Sequence, residues 1–174
     1  DTLSFSGIST GVTVNLATLT GFETVIGGSG NDTLIGTNAD NQFNITSANA
    51  GTVADLGVTF QSFETLQGTA GNDTFTFSNG ATAGRIDGGA GNDTINLTAY
   101  TTARTVTLTG SSSNGFNGTE AAAGTFAGIT TVALNGGVSG NSLTGLNNDS
   151  VWDLDAAPTY TSSSRILNFS GAGT

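Results

Sequence analysis

The stretch Gly88-Gly89-Ala90-Gly91-Asn92-Asp93-Thr94-Ile95-Asn96-Leu97 joins a glycine-rich turn to a short strand, and it does not stand alone. The same unit recurs at Gly27-Gly28-Ser29-Gly30-Asn31-Asp32-Thr33-Leu34-Ile35 and at Gly68-Thr69-Ala70-Gly71-Asn72-Asp73-Thr74-Phe75-Thr76-Phe77. Each copy carries Gly-Asn-Asp-Thr with an apolar residue next. Glycine permits the positive φ such a turn needs and lets other backbone approach closely. The alternation that follows, with Ile95 and Leu97 on one face, is that of a half-buried β-strand. A recurring turn-strand unit confines the chain to a repeat architecture, in which one unit covers the next.

Alternating strands fill the intervals. Val12, Val14 and Leu16 alternate with polar residues, and Phe22-Glu23-Thr24-Val25-Ile26, Phe63-Glu64-Thr65-Leu66 and Arg165-Ile166-Leu167-Asn168-Phe169 read the same way. A degenerate copy follows Asp32, at Gly36-Thr37-Asn38-Ala39-Asp40-Asn41-Gln42-Phe43-Asn44-Ile45, while residues 47–57 are small and polar and predict a loop. A longer period is superimposed. Residues 93–108 match 1–16 at an offset of 92, and 143–154 match 34–45 at an offset of 109. The unmatched stretch 110–124 accounts for the difference and predicts an excursion, with one helical turn at 120–123. The expected organisation is a single repeat unit over 1–174 with two related halves, 1–92 and 93–174. A hydrophobic content of 36% suits a narrow core. The fold class expected is all-β, a right-handed parallel β-solenoid (β-roll or β-helix) with Gly-rich turns; an irregular β-sandwich is the alternative.

The turn copies fit Gly-Gly-x-Gly-x-Asp-x-apolar-x, the nonapeptide of calcium-binding parallel β-rolls. Glycines let backbone carbonyls point inward and the Asp adds a carboxylate, giving the hard oxygen ligands Ca²⁺ takes at ~2.3–2.6 Å. Over residues 27–35, 88–97 and, less perfectly, 68–77, the sequence resembles the repeats-in-toxin (RTX, haemolysin-type) family of secreted calcium-binding proteins. It is most similar to the modules of large secreted bacterial adhesins and surface proteins; the strands between share only texture with them. The resemblance implies Ca²⁺ as cofactor, held between two stacked turns that each give half the ligands. Here the motif aspartates Asp1, Asp32, Asp73 and Asp93 are separated by 31, 41 and 20 residues rather than running in tandem. Only Asp73 and Asp93 are spaced like neighbours, about 4.8 Å apart when stacked. The implied ligands are therefore Asp73 and Asp93, with Gly71, Gly89 and Gly91 placing carbonyls and Asp87 on the flank. Asp32 with Asp40 forms a second candidate, and Asp1 opens a copy that lacks its glycine turn. Gly-Asn-Asp is also a good turn in itself, its side chains capping their own backbone. At Gly140-Asn141-Ser142 the carboxylate is gone.

Charge and residue inventory narrow the function. A net charge of −10, with Arg85, Arg104 and Arg165 as the only basic side chains, disfavours nucleic acid and anionic membrane surfaces as partners. No apolar run reaches the ~18–20 residues that span a bilayer, so no membrane insertion is expected. Without His, Cys or Lys the usual nucleophile–base pairs are missing. Paired carboxylates, Asp153 with Asp155 or Asp87 with Asp93, leave a polysaccharide-active β-helix enzyme as a minor alternative, and the chain is read as non-enzymatic. A row of Thr105, Thr107 and Thr109 supports a second alternative, a carbohydrate- or ice-binding face. Phe43 and Trp152 occupy matched positions and are expected in the core. The function expected is structural: a calcium-stabilised extracellular module at the cell surface. Placing Gly171-Ala172-Gly173-Thr174 before Asp1-Thr2-Leu3-Ser4-Phe5 completes the motif. The expected partner is therefore the same unit, repeated or stacked head to tail in a filament, surface layer or adhesin.

Overall fold

A computed structural model describes residues 1–172. In the first half the strands are β1 (Thr2–Ser4), β2 (Thr13–Asn15), β3 (Thr24–Ile26), β4 (Thr33–Ile35), β5 (Gln42–Ser47), β6 (Ala50–Val53), β7 (Val58–Gln61), β8 (Thr65–Ala70) and β9 (Thr74–Phe77). There follow β10 (Arg85–Ala90), β11 (Asp93–Leu97), β12 (Thr105–Ser112), β13 (Gly115–Glu120), β14 (Gly124–Leu134), β15 (Ser142–Thr144), β16 (Ser150–Asp153), β17 (Thr159–Ser162) and β18 (Arg165–Ser170). The fold is all-β, with one 3₁₀ turn at Ala54–Leu56 as the helical content of the described residues.

Parallel ladders organise the sheet. One runs β2, β4, β8, β10, β14 and aligns Val14, Leu34, Leu66, Ile86 and Phe126 as successive partners. A second runs β5, β9, β11, β14, β18 and aligns Phe43, Phe75, Ile95, Val132 and Phe169. A third, β1, β3, β7, aligns Leu3, Val25 and Phe60. Since side chains alternate across a strand, matching one apolar residue per strand sends every apolar column to the same interior. All these residues are buried except Leu3, which packs against the core from its margin. Phe43 and Phe75 stack with ring centroids 4.9 Å apart, a geometry worth roughly 0.5–1.5 kcal/mol beyond the area it buries.

Three antiparallel excursions interrupt the parallel scheme. The stretch 47–57, expected as a loop, instead forms β6, which pairs with both β5 and β7. Its small residues are accommodated because Gly51 approaches the Asn44 carbonyl where a Cβ would collide. Residues 110–124 form the β12–β13 hairpin and return into β14, and no helix forms at 120–123. There the buried Glu120 carboxylate accepts the Ala122 and Ala123 N–H groups at 2.7 and 3.1 Å and pairs with Arg104. The third excursion, β16–β17–β18, is where the matched residues diverge. Phe43 is fully buried, whereas Trp152 remains 40% exposed, with its ring against Tyr160 and Phe169. The head-to-tail junction expected at Gly173-Thr174 lies outside the described residues.

Candidate metal centre

Residues 68–73 lie directly over 88–93. Strands β8 and β10 pair in register, Thr69 with Gly89 and Ala70 with Ala90, and β9 and β11 resume the register at Thr74 and Thr94. Gly91 has φ 130° and sits against the Gly71 carbonyl, so the stacking leaves no room for a Cβ there. The Asp and Asn side chains then reach across to the neighbouring turn. Asp93 Oδ1 accepts the Asp73 N–H at 2.8 Å, and Asp73 Oδ1 accepts the Asn41 N–H at 2.7 Å. On the outer side Asn72 Oδ1 accepts the Asn92 N–H at 2.9 Å, and Asp40 Oδ1 accepts the Asn72 N–H at 2.7 Å. The inner pair satisfies the Asn41 and Asp73 N–H groups, which the turns would otherwise bury unpaired.

The second carboxylate oxygens are different. Asp32, Asp73 and Asp93 are all fully buried. Asp32 Oδ1 accepts the Val12 N–H at 2.8 Å and its Oδ2 accepts the Gly28 N–H at 2.6 Å, so both oxygens are occupied. Asp73 Oδ2 and Asp93 Oδ2 have no donor among the described residues. A Cβ at Gly68 would meet both Asp73 Oδ2 and the Gly88 carbonyl oxygen, the latter at 2.6 Å; one at Gly88 would meet Asp93 Oδ2 at 2.5 Å. Carboxylate and carbonyl oxygens thus converge on a cradle that glycine keeps open. Burial pushes the Asp73 carboxyl up to about 7, against the lowering effect of the Asn41 N–H, with Asp93, Asp40 and Asp55 adding to the rise. Burial also raises Asp93, opposed by the Asp73 N–H and reinforced by Asp87 and Asp40. Carboxylate oxygens buried without a donor need a proton or a cation beside them. A hard divalent cation fits that donor set.

Of the residues singled out in the sequence, Asp73, Asp93, Gly71, Gly89 and Gly91 come together in this stack. Asp40 joins it from the Asn41 side rather than sitting with Asp32, whose backbone N–H donates to Glu64 Oε2 at 2.8 Å. Asp87 forms an ion pair with Arg85 at 3.1 Å on the surface. The Asp1 side chain is exposed and its amino group pairs with Glu23. Asp153 and Asp155 lie at the exposed end of β16, where Asp153 Oδ1 accepts the Asp155 N–H at 3.2 Å. Sequence reasoning missed Glu64, Asp55 and Asn41. Asp55 accepts from the Asn41 side chain and the Gln42 N–H, both at 2.8 Å. Its place in a stretch read as loop hid it, whereas Glu64 was visible as the counterpart of Glu23 in Phe-Glu-Thr. Among the described residues no group of three or more acidic side chains could hold a metal, so a cation here would rely on backbone carbonyls.

A family model for the RTX calcium-binding nonapeptide repeat matches in four copies, over residues 18–44, 61–76 and 78–99. RTX nonapeptide repeats bind Ca²⁺, and the matched residues include the Asp32, Asp73 and Asp93 turns. No curated protein and no solved structure matches the chain.

Proposed function

We propose that this chain, whose residues 18–99 carry RTX calcium-binding repeats, is a calcium-stabilised extracellular β-module of a repetitive surface protein. The observation that carries the proposal is the pair of donor-less oxygens, Asp73 Oδ2 and Asp93 Oδ2, within the matched repeats. Asp73 and Asp93 would hold the ion, with the carbonyls of Gly68, Gly71, Gly88, Gly89 and Gly91 as further oxygen donors. Bound Ca²⁺ supplies the positive charge that the two buried carboxylates lack. What the chain itself provides is the stack: the β8–β10 and β9–β11 pairings hold the turns together, and the inner Asp ladder fixes their order. With the Asp73 carboxyl raised to about 7, a proton competes with the ion for the site as pH falls below that value. A site with two carboxylates suits the weak affinities of extracellular calcium modules, Kd on the order of 10⁻⁴–10⁻³ M.

The parallel ladders support a β-solenoid of the β-roll type, interrupted by antiparallel hairpins. In such a fold copies of the unit would repeat or stack head to tail, with β1 and β2 receiving the next layer, as in a filament, surface layer or adhesin. RTX repeat proteins are typically secreted or surface-associated, which supports the extracellular assignment. The same features support a structural role, since Asp32, Asp40, Asp73 and Asp93 are engaged in turn stacking. Isothermal calorimetry of the chain with Ca²⁺ tests the proposal. Heat of binding that saturates in the millimolar range and disappears in Asp73→Asn/Asp93→Asn is expected; equal heats in both proteins would reject it.

A further inference from the structure

A groove of about 390 Å³ opens between the Asp93 turn, the β12–β13 hairpin and the β17–β18 hairpin. Its walls carry Asn92, Ser113, Asn114, Ser164, Arg165 and Ile166. None of the 13 acidic residues of the chain lines it, although the protein carries a net charge of −10. Of the three arginines, Arg85 pairs with Asp87 and Arg104 with Glu120. Arg165 has no ion-pair partner among the described residues, and it is the one that faces the groove.

The element that presents Arg165 is strained. Ser162 pairs with Arg165 across a two-residue hairpin, whose central Ser163 and Ser164 both adopt left-handed backbone, φ 53° and 60°. That turn is formed most readily by Asn-Gly, and L-residues without glycine's freedom hold it at a cost. Strain of this kind gathers at ligand sites, where the surroundings fix it. Ile166, next in the chain, leaves its side chain 56% exposed at the groove wall.

We infer that this groove binds a carboxylated saccharide. A guanidinium offers donors only, in a fork that matches a carboxylate bidentately. The Asn92 side chain makes no hydrogen bond among the described residues, and Asn114 Nδ2 is likewise unused. Amides and the hydroxyls of Ser113 and Ser164 both donate and accept, as sugar hydroxyls require. Ile166 offers an apolar surface to the C–H face of a pyranose. The acidic surroundings oppose a densely charged polyanion and leave room for a ligand with one carboxylate among neutral hydroxyls. The groove borders the calcium cradle, since Gly91 and Asn92 of the Asp93 turn line it, but its ligand-binding groups are the side chains of Arg165, Asn92, Asn114, Ser113 and Ser164 and not the buried carboxylates.

The test uses cellobiouronate and cellobiose, which differ in one carboxylate, titrated into the calcium-loaded chain and followed by ¹⁵N NMR. Cellobiouronate should shift the side-chain amides of Asn92 and Asn114 and the Arg165 Nε resonance in the millimolar range. Cellobiose should bind about tenfold more weakly or worse. Arg165→Gln should reduce cellobiouronate to the level of cellobiose with an unchanged melting temperature. Equal affinity for the two sugars, affinity unaltered in Arg165→Gln, or no shift up to about 20 mM would overturn the assignment. Triglycine binding as tightly as cellobiouronate would also overturn it, because a carboxylate alone would then be the ligand.

Discussion

The turns at Asp93 and Asn141 hold the backbone in the same way and differ in what the remaining side-chain atom meets. Asp93 Oδ1 accepts the Asp73 N–H at 2.8 Å; Asn141 Oδ1 accepts the Arg104 N–H, also at 2.8 Å. The Asn141 amide then donates to the Asn135 and Gly171 carbonyls, at 2.7 and 2.9 Å. In Asp93 the corresponding atom is an oxygen with no donor among the described residues. An amide completes such a turn alone, because its nitrogen answers the carbonyls around it. The Asp73 and Asp93 carboxylates do not, unlike that of Asp32, whose two oxygens both accept backbone N–H groups, and a buried carboxylate oxygen without a partner raises the energy of the fold. The contrast separates a turn whose buried side-chain atoms are all partnered from turns that bury a carboxylate oxygen with no donor among the described residues.

The largest expected effect comes from exchanging the two chemistries. Asn141→Asp turns a donor into a charged acceptor facing two carbonyls, and should cost about 3–5 kcal/mol in denaturant unfolding. A loss below about 1 kcal/mol would mean that those carbonyls turn to water and the comparison fails. Next is the pH dependence of the calcium-free protein. The folded pKa of Asp73, about 7, lies above its ordinary 3.8, so the folded state binds more protons than the unfolded one between those values. Its contribution is full below about pH 3.8 and is lost as pH rises through about 7, at most ~4 kcal/mol. The stability of the wild type minus that of Asp73→Asn, in chelator, should therefore fall between pH 4 and 7. A difference that rises over that window contradicts the cradle. Asp93→Ala leaves the Asp73 N–H buried without an acceptor and should cost roughly 1–3 kcal/mol even in calcium. The smallest effect is that of Asp93→Asn, which restores the Asn141 chemistry. Apo stability at neutral pH should hold or rise by about 1 kcal/mol while the response to calcium shrinks, read from melts with and without chelator.

The contrast was only half legible in the sequence. Gly-Asn-Asp-Thr repeats exposed the turns, and the spacing of Asp73 and Asp93 singled out the stack, since a parallel ladder requires matched intervals. The apolar columns through Leu34, Leu66 and Ile86 followed from period-two alternation. The pairing of Asp40 with the Asp73 turn was hidden, because it depends on β5 joining β9 across 32 residues. The excursion at 110–124 was legible because it has no matching partner, but its strands were not: β6 and β13 are rich in small residues and lack strong alternation, and they form strands because flanking strands offer open edges. Trp152 shows the limit of internal matching. It aligns with Phe43, yet β5 lies between β6 and β9 whereas, among the described residues, β16 pairs only with β17, so the same position is buried in one place and half open in the other.

The central claim, that the Asp73 and Asp93 turns are completed by calcium, is tested most directly by thermal melting at neutral pH in chelator and in millimolar Ca²⁺. Calcium at about ten times Kd adds roughly 1.4 kcal/mol per site, which raises the melting temperature of a chain this size by about 3–6 °C. The account predicts that rise in the wild type and its absence in Asp73→Asn/Asp93→Asn. Superimposable wild-type curves in the two conditions would contradict it.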